Sequence, residues 1–371
     1  MDTNRYTVIG AGHGGRGMAA HLALMGFRVT LYNRTPERVA AIRARRGLDL
    51  DSYDDAPNGF ARLAKVTSDM AEAIGESDLI MVVVPSSAHA DIARECAPHL
   101  RDGQIVVLHP GRTLGAIEFK KVICDLGCKV DVTIAEAETF IYASRSDGPA
   151  QVRIFRIKEA VPVAALPAMR TAQVLDALAP AYPQFIDGVS VLHTGLNNMG
   201  AIFHPALTIL NAGRIESTFG DFEFYIEGVT ASTARVLEAL DRERVTVAAS
   251  LGIRARTALE WLQMAYDATG NDLNEAIHNQ SGYVGIKAPS TLNHRYIFED
   301  VPMSLVPIAA LGQHYGVSVR GMDALIRLAC VIHRTDYWRR GRTLEKLGVD
   351  RLSVGELTQY VMEGVRCWEE G

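Results

Sequence analysis

No apolar run in this sequence approaches the ~18–20 residues needed to cross a bilayer, so no membrane partner is expected. Basic residues do not predominate: 38 Lys and Arg face 43 Asp and Glu, a formal charge of −5. That balance argues against nucleic acid or an anionic membrane surface as a partner. Cysteine is sparse. Cys96, Cys124, Cys128, Cys330 and Cys367 are scattered and odd in number. Only Cys124 and Cys128 are close, and Cys-x3-Cys with no histidine or second pair nearby is a poor zinc signal, so no metal is expected. The start, MDTNRYTVIGAG, enters a strand pattern by Tyr6, with nothing resembling a signal or transit peptide. Repeats and low-complexity tracts are lacking as well. The expectation is a cytoplasmic protein with reduced thiols.

What is present is the composition of a globular protein. At 371 residues, 48% hydrophobic and 22% charged, the chain suggests about two domains. Its first half alternates short apolar runs with helical stretches. Strand-like runs are 6–9, 28–32, 64–67, 79–84, 104–108 and 130–135, and 151–157 and 184–186 could add more. Such alternation means βαβ units and a parallel sheet covered on both faces. DSYDDAPNG (51–59) reads as a polar loop. From about Ser190 helical patterns take over, at 222–251, 254–266, 302–315 and 321–337. The fold class is therefore α/β: a doubly wound dinucleotide-binding domain over 1–188, then an all-helical substrate domain over 189–371. Apolar stripes on those helices suggest a homodimer.

TVIGAGHGGRGMAAHLALMG (7–26) places Gly10, Gly12 and Gly15 as G-x-G-x-x-G between the first strand and the first helix. The first glycine permits the tight turn, the second the approach of a pyrophosphate, the third close packing of helix on strand. The helix start offers free N–H groups and partial positive charge to phosphates. His13 and Gly14 fall within the same loop. The second strand ends in Asn33, Arg34 and Thr35, where an NAD site usually carries Asp or Glu. Without a carboxylate a 2′-phosphate is not repelled, and a guanidinium can grip it. The cofactor expected is NADP, with NAD possible; the alternative has Arg34 pointing to solvent or stacking on adenine. Two further loops, VVVPSSAHAD (82–91) and LHPGRTLGAIEF (108–119), follow strands on the ligand-binding edge. Pro85 and Pro110 end their strands, Gly111 would admit a ring, and His89 and His109 read as structural.

The stretches LHPGRTLGAIEF, AEAETFIYASR (135–145), NNMGAIFHPALTILNAG (197–213), HRYIFEDVP (294–302) and GRTLEKLGV (341–349), in this order, resemble the octopine/nopaline (opine) dehydrogenase family. The resemblance implies a Rossmann domain followed by a helical catalytic domain. It also implies reductive condensation of an amino acid amine with a 2-oxo acid, using NADH or NADPH. Carried over by residue, it makes His204 and Asp300 the catalytic pair, Arg295 a carboxylate clamp and Asn198 a substrate contact, with Asn197 an alternative to Asn198.

That chemistry has clear requirements. The carbonyl oxygen must be protonated to leave as water, the amine must be uncharged to attack, and the carboxylates must be held still. Histidine can move protons in both directions near neutrality. A neighbouring aspartate fixes which ring nitrogen faces substrate, and arginine orients a carboxylate by paired hydrogen bonds. From the residues alone, Pro205 should kink or end the helix around 191–203, exposing His204. A bland reading stands beside this one, in which His204 caps a helix and Asp300 only N-caps the helix at Pro302. His294 and Glu299 read as solvated charges, WRRGRTLEK (338–346) as a helix cap facing water, and Tyr142 and Arg145 as possible ligand contacts. Two other functions fit the same outline. One is an NADP-dependent reductase of simple 2-oxo or 3-hydroxy acids, for which Lys287 is the candidate lysine although it has no obvious partner. The other is a non-catalytic NADP-binding sensor.

Overall fold

A computed structural model describes residues 5–53 and 56–364; Cys367 lies outside this range. The chain folds into two compact units, one reaching to Thr194 and including the stretch from Gln359 on, the other spanning Gly195–Thr358. Among the described residues no helix is long and apolar enough to cross a membrane.

The first unit contains twelve strands among its described residues: β1 (Arg5–Ile9), β2 (Arg28–Tyr32), β3 (Gly47–Ser52), β4 (Gly59–Arg62), β5 (Lys65–Thr67), β6 (Leu79–Val82), β7 (Ile105–Leu108), β8 (Thr133–Ala137), β9 (Tyr142–Gly148), β10 (Gln151–Ile157), β11 (Val161–Leu166) and β12 (Phe185–Asp187). Eight of them form one sheet in the order β12-β11-β8-β7-β6-β1-β2-β5. All its pairings are parallel except β11 with β8. β6 and β7 are unbroken apolar runs because helices cover both faces; every residue in them is buried. Each such side chain contributes about 1.5–3 kcal/mol on burial.

The order β4-β3-β10-β9 forms a second sheet that the strand reading missed in part. The segment taken as a polar loop from residue 51 in fact begins inside β3 and ends at the start of β4. The signal was there: Gly-Leu-Asp-Leu-Asp-Ser alternates apolar and polar, the pattern of a half-buried strand, and Leu48 and Leu50 do point into the core. Gly47 is required, because a Cβ there would lie 2.3 Å from the Ala61 carbonyl oxygen. This sheet packs on the helix His13–Leu24 that follows the glycine loop; Gly17 faces Ile154 and Val152 at van der Waals distance.

The second unit is helical. Its longest helix is Ala231–Ser250, shorter than the 222–251 expected. Residues before it are pinned elsewhere: Phe224 N–H donates to Ile286 O (2.7 Å) and Ala288 N–H to Phe222 O (3.0 Å). Thr230 then caps the helix by accepting from Thr233 N–H. A buried Arg244 on this helix ties the unit together. It pairs with Asp241 (Nη2 to Oδ1, 2.6 Å) and donates to the carbonyls of Leu196 and Arg256, while Asp241 accepts from Ala258 N–H at 2.7 Å.

Candidate functional site

The glycine loop has the geometry that a pyrophosphate needs. Gly10 has φ +111° and a Cβ on it would strike Val83 O at 2.3 Å, so only glycine fits. A Cβ on Gly15 would lie 1.8 Å from Gly10 O, which is the close helix–strand approach. At Gly12 a Cβ would meet nothing within 4 Å: the space above the helix start is open where phosphates would come. Gly14 abuts the Phe140 ring, and His13 Nδ1 accepts from Ser146 N–H at 2.8 Å. Asn33 Oδ1 accepts from Ala11 N–H (3.1 Å) and its Nδ2 donates to Thr35 O (3.0 Å), so the amide ties the second strand's end to the loop. Arg34 is exposed (64%) and only loosely paired, 3.9 Å from Asp91. Pro85 precedes a short turn, Ser86–Ala88, just after β6. The residues present therefore fit a dinucleotide.

The neighbouring loops are more structural than expected. Gly111 does not make room for a ring: its missing side chain is replaced by Glu136, whose Cβ would be 2.4 Å away. Glu136 is buried and accepts from Ala116 N–H (2.7 Å) and Thr194 Oγ1 (2.8 Å), so it caps the helix Gly115–Asp125. His109 packs against Phe140 and Phe185, and burial pushes its pKa down to about 3, leaving it neutral. His89 is also buried. Tyr142 is committed to the core, where its hydroxyl meets His21 Nδ1 (2.7 Å) and Tyr182 (2.9 Å).

In the second unit His204 and Asp300, 96 positions apart, meet: Nδ1 lies 2.8 Å from Oδ2. Asp300 is fully buried and the His204 side chain is 21% exposed. The contact fixes Nδ1 toward the carboxylate and turns Nε2 away from it. His204 sits inside the helix Gly200–Leu210, which runs through Pro205. The expected break comes earlier, between the helix Val191–Leu196 and Gly200. Proline costs one hydrogen bond there without stopping a helix most of whose residues are buried. The capping alternatives also fail. His204 is interior to its helix, and the Asp300 side chain makes no cap bond to the following turn.

That following turn, Val301–Leu305, is π-helical: Val306 N–H reaches Val301 O, five residues back. Pro302 and Pro307 remove two N–H donors from this stretch, so the ordinary ladder cannot close. Met303 O loses its usual donor to Pro307 and instead lies 3.5 Å from Arg342 Nη1, while Arg342 N–H donates to Pro302 O at 3.1 Å. Arg342 is thus buried, contrary to the expectation that 338–346 faces water. Lys346 does cap as expected, donating to Gly341 O (3.0 Å) and to Arg339 O. Gly341 has no room for a side chain, with Val306 Cγ1 2.6 Å from a Cβ.

Around the pair, Asn198 Nδ2 donates to Ser304 Oγ (2.9 Å) and is buried, whereas Asn197 Oδ1 accepts from Arg256 N–H (3.0 Å). Arg295 is 49% exposed and holds Glu299 through Nε at 3.1 Å. Glu299 is buried, not solvated, because Arg295 four residues earlier on the same helical face neutralises it. His294 is half-buried; burial, then Arg295, lower its pKa. Sequence reasoning missed Tyr296, whose ring stacks on His204 with centroids 4.1 Å apart. Its spacing of four from Asp300 was the available signal, since a helical path puts both on one face. Lys287 forms an exposed ion pair with Asp221 (2.8 Å), so it has a partner after all.

Residues 188–333 match the family model "NAD/NADP octopine/nopaline dehydrogenase, alpha-helical domain", and residues 5–114 match "NAD binding domain of 6-phosphogluconate dehydrogenase". The chain is 36% identical to an opine dehydrogenase of Arthrobacter sp. (strain 1C) over 97% of its own length and 99% of that protein's. It is 26% identical to a vitopine synthase of Allorhizobium ampelinum, over 77% and 78% of the two chains. Among solved structures, octopine dehydrogenase in complex with NADH and agmatine superposes with a TM-score of 0.81 at 19% identity, covering 98% of both chains. NADP+-bound yersinopine dehydrogenase does so with a TM-score of 0.73 at 14% identity, covering 100% of both.

Proposed function

The chain belongs to the octopine/nopaline dehydrogenase family and is an NAD(P)-dependent oxidoreductase acting on CH–NH bonds. From that premise we propose that it condenses the amine of an amino acid with a 2-oxo acid and reduces the imine to a secondary amine dicarboxylate, with NADP preferred. The observation that carries this reading is the His204–Asp300 contact. When bound, the reduced nicotinamide supplies the hydride. The protein's own residues do the rest. Nε2 of His204 takes a proton from the attacking ammonium and returns one to the departing oxygen. Asp300 holds the tautomer and compensates charge on the ring. Arg295 offers its Nη groups to a substrate carboxylate while Nε stays with Glu299. Asn198, set by Ser304, is the candidate polar contact nearby.

Octopine dehydrogenase structures with NADH and L-arginine and with NADH and pyruvate contain an amino acid and a 2-oxo acid, the two substrate classes proposed here. The exposed Asp221–Lys287 pair gives no support to a lysine-dependent reductase of simple 2-oxo acids. The test is a matrix of amino acids against 2-oxo acids, followed by NADPH absorbance. Oxidation should require both partners; oxidation that ignores the amine refutes the reading.

The NADP preference rests on Asn33 and Arg34. Asn33 occupies the place of the usual acid and is spent on the loop, and Arg34 is exposed beside it. Arg34→Ala should weaken NADPH binding by about one to two orders of magnitude, the worth of a charge-assisted bond of roughly 1.5–3 kcal/mol, and leave NADH nearly unchanged. Equal affinities before and after the change would remove Arg34 from that role.

A further inference from the structure

A hydrogen bond at one nitrogen anchors a point on an imidazole ring but not its plane. The ring can still swing about that contact, and with it the direction in which Nε2 points. In His204 the second restraint is aromatic. Tyr296 lies against the imidazole with centroids 4.1 Å apart and planes inclined by 18°. Tyr296 is itself braced. Phe224 stacks on it at 5.3 Å and 22°, and the His294 ring meets it edge-on at 4.4 Å and 82°. Phe224 in turn is held by its N–H bond to Ile286 O and by edge contact with Tyr225, which stacks on Tyr283. Tyr296 and Asp300 approach His204 from one helical path four residues apart, so a single segment supplies both the in-plane anchor and the face.

We propose that Tyr296 is a positioning residue: its ring face sets the plane of the His204 imidazole, so that Nε2 is offered to substrate in one direction. The restraint proposed is the flat face of the ring. An aliphatic side chain of similar size fills the volume but has no flat face, and it lets the imidazole rock about the Asp300 bond. Misplacement of a reacting group by about 1 Å can cost up to ~100-fold in rate. The effect falls on the chemical step, because Tyr296 packs on the imidazole that moves the proton.

The catalytic consequence rests on the function proposed above; the packing claim does not. The experiment therefore has two readouts on the full-length protein, comparing wild type, Tyr296→Leu and Tyr296→Phe. The first is the His204 Cε1–H proton resonance in protein carrying labelled histidine, assigned by its loss in His204→Gln. A stacked tyrosine displaces this resonance by ring current; the displacement should vanish in Tyr296→Leu and persist in Tyr296→Phe. The second is steady-state kinetics: Tyr296→Leu should lower kcat about tenfold or more with KM for NADPH unchanged, and Tyr296→Phe should restore it to within about twofold. Should the leucine variant not fold, Tyr296→Met makes the same comparison. A resonance indifferent to loss of the ring, a leucine variant with wild-type kcat, or a phenylalanine variant as impaired as leucine would each overturn the proposal. A wild-type protein with no amine-dependent turnover would instead refute the functional reading, and the resonance comparison would still decide the packing claim.

Discussion

His204→Ala should lower turnover by at least about 100-fold, the scale of lost acid–base catalysis, with NADPH affinity close to wild type. Asp300→Asn should do comparable damage for a different reason. The amide keeps the volume of the carboxylate but can donate to Nδ1 as well as accept, so the imidazole can adopt the other tautomer and present the wrong nitrogen state to substrate. Because Asp300 is fully buried, no water can easily take its place. The two losses should not add in the double variant, since the residues act as one unit. Steady-state rates with an active substrate pair, alongside a fluorescence titration with NADPH, provide the check. Near-normal turnover in either single variant would remove the assigned role from its missing group. Loss of cofactor binding in both would mean that the pair holds structure and not chemistry.

Arg244→Met should destabilise the helical unit by about 3–5 kcal/mol, the cost of stranding one partner of a buried ion pair. The guanidinium is fully buried and answers three groups at once: the Asp241 carboxylate and the carbonyls of Leu196 and Arg256. Methionine fills the space and satisfies none of them. Leu196 ends the helix Val191–Leu196, and Asn197 after it accepts from Arg256 N–H, so the same staple shapes the entry to the helix carrying His204. Chemical denaturation reads the effect. Asp241→Leu combined with Arg244→Met should cost less than the sum of the two single changes, because removing both charges leaves no unpaired ion. A single-variant cost below about 1 kcal/mol would show that the network is not the tie described here.

The readings that held came from residues whose meaning is local. G-x-G-x-x-G directly after an apolar strand needs glycine for reasons of backbone geometry, and Gly10 and Gly15 show those reasons. Buried parallel strands announce themselves by unbroken apolar runs, as β6 and β7 do. The failures share another cause. Gly111 looked like an opening because a sequence does not show that Glu136 will fill it. Glu299 and Arg342 looked solvated because a charge in a string carries no sign of its burial. Pro205 looked like a helix end because its local penalty was weighed without the packing that overrides it.

The sequence by itself determined the nucleotide-binding half and, through the order of its later blocks, which histidine and which aspartate to pair. The first follows from short-range backbone chemistry; the second is what the resemblance of those blocks to the octopine/nopaline dehydrogenase family implies. Only tertiary structure decided that these two side chains touch, that Asp300 is sealed from water, and that Tyr296 lies flat on the imidazole. Those facts depend on how two segments nearly a hundred residues apart pack together. Burial and contact are properties of that packing, and no stretch of residues carries them alone.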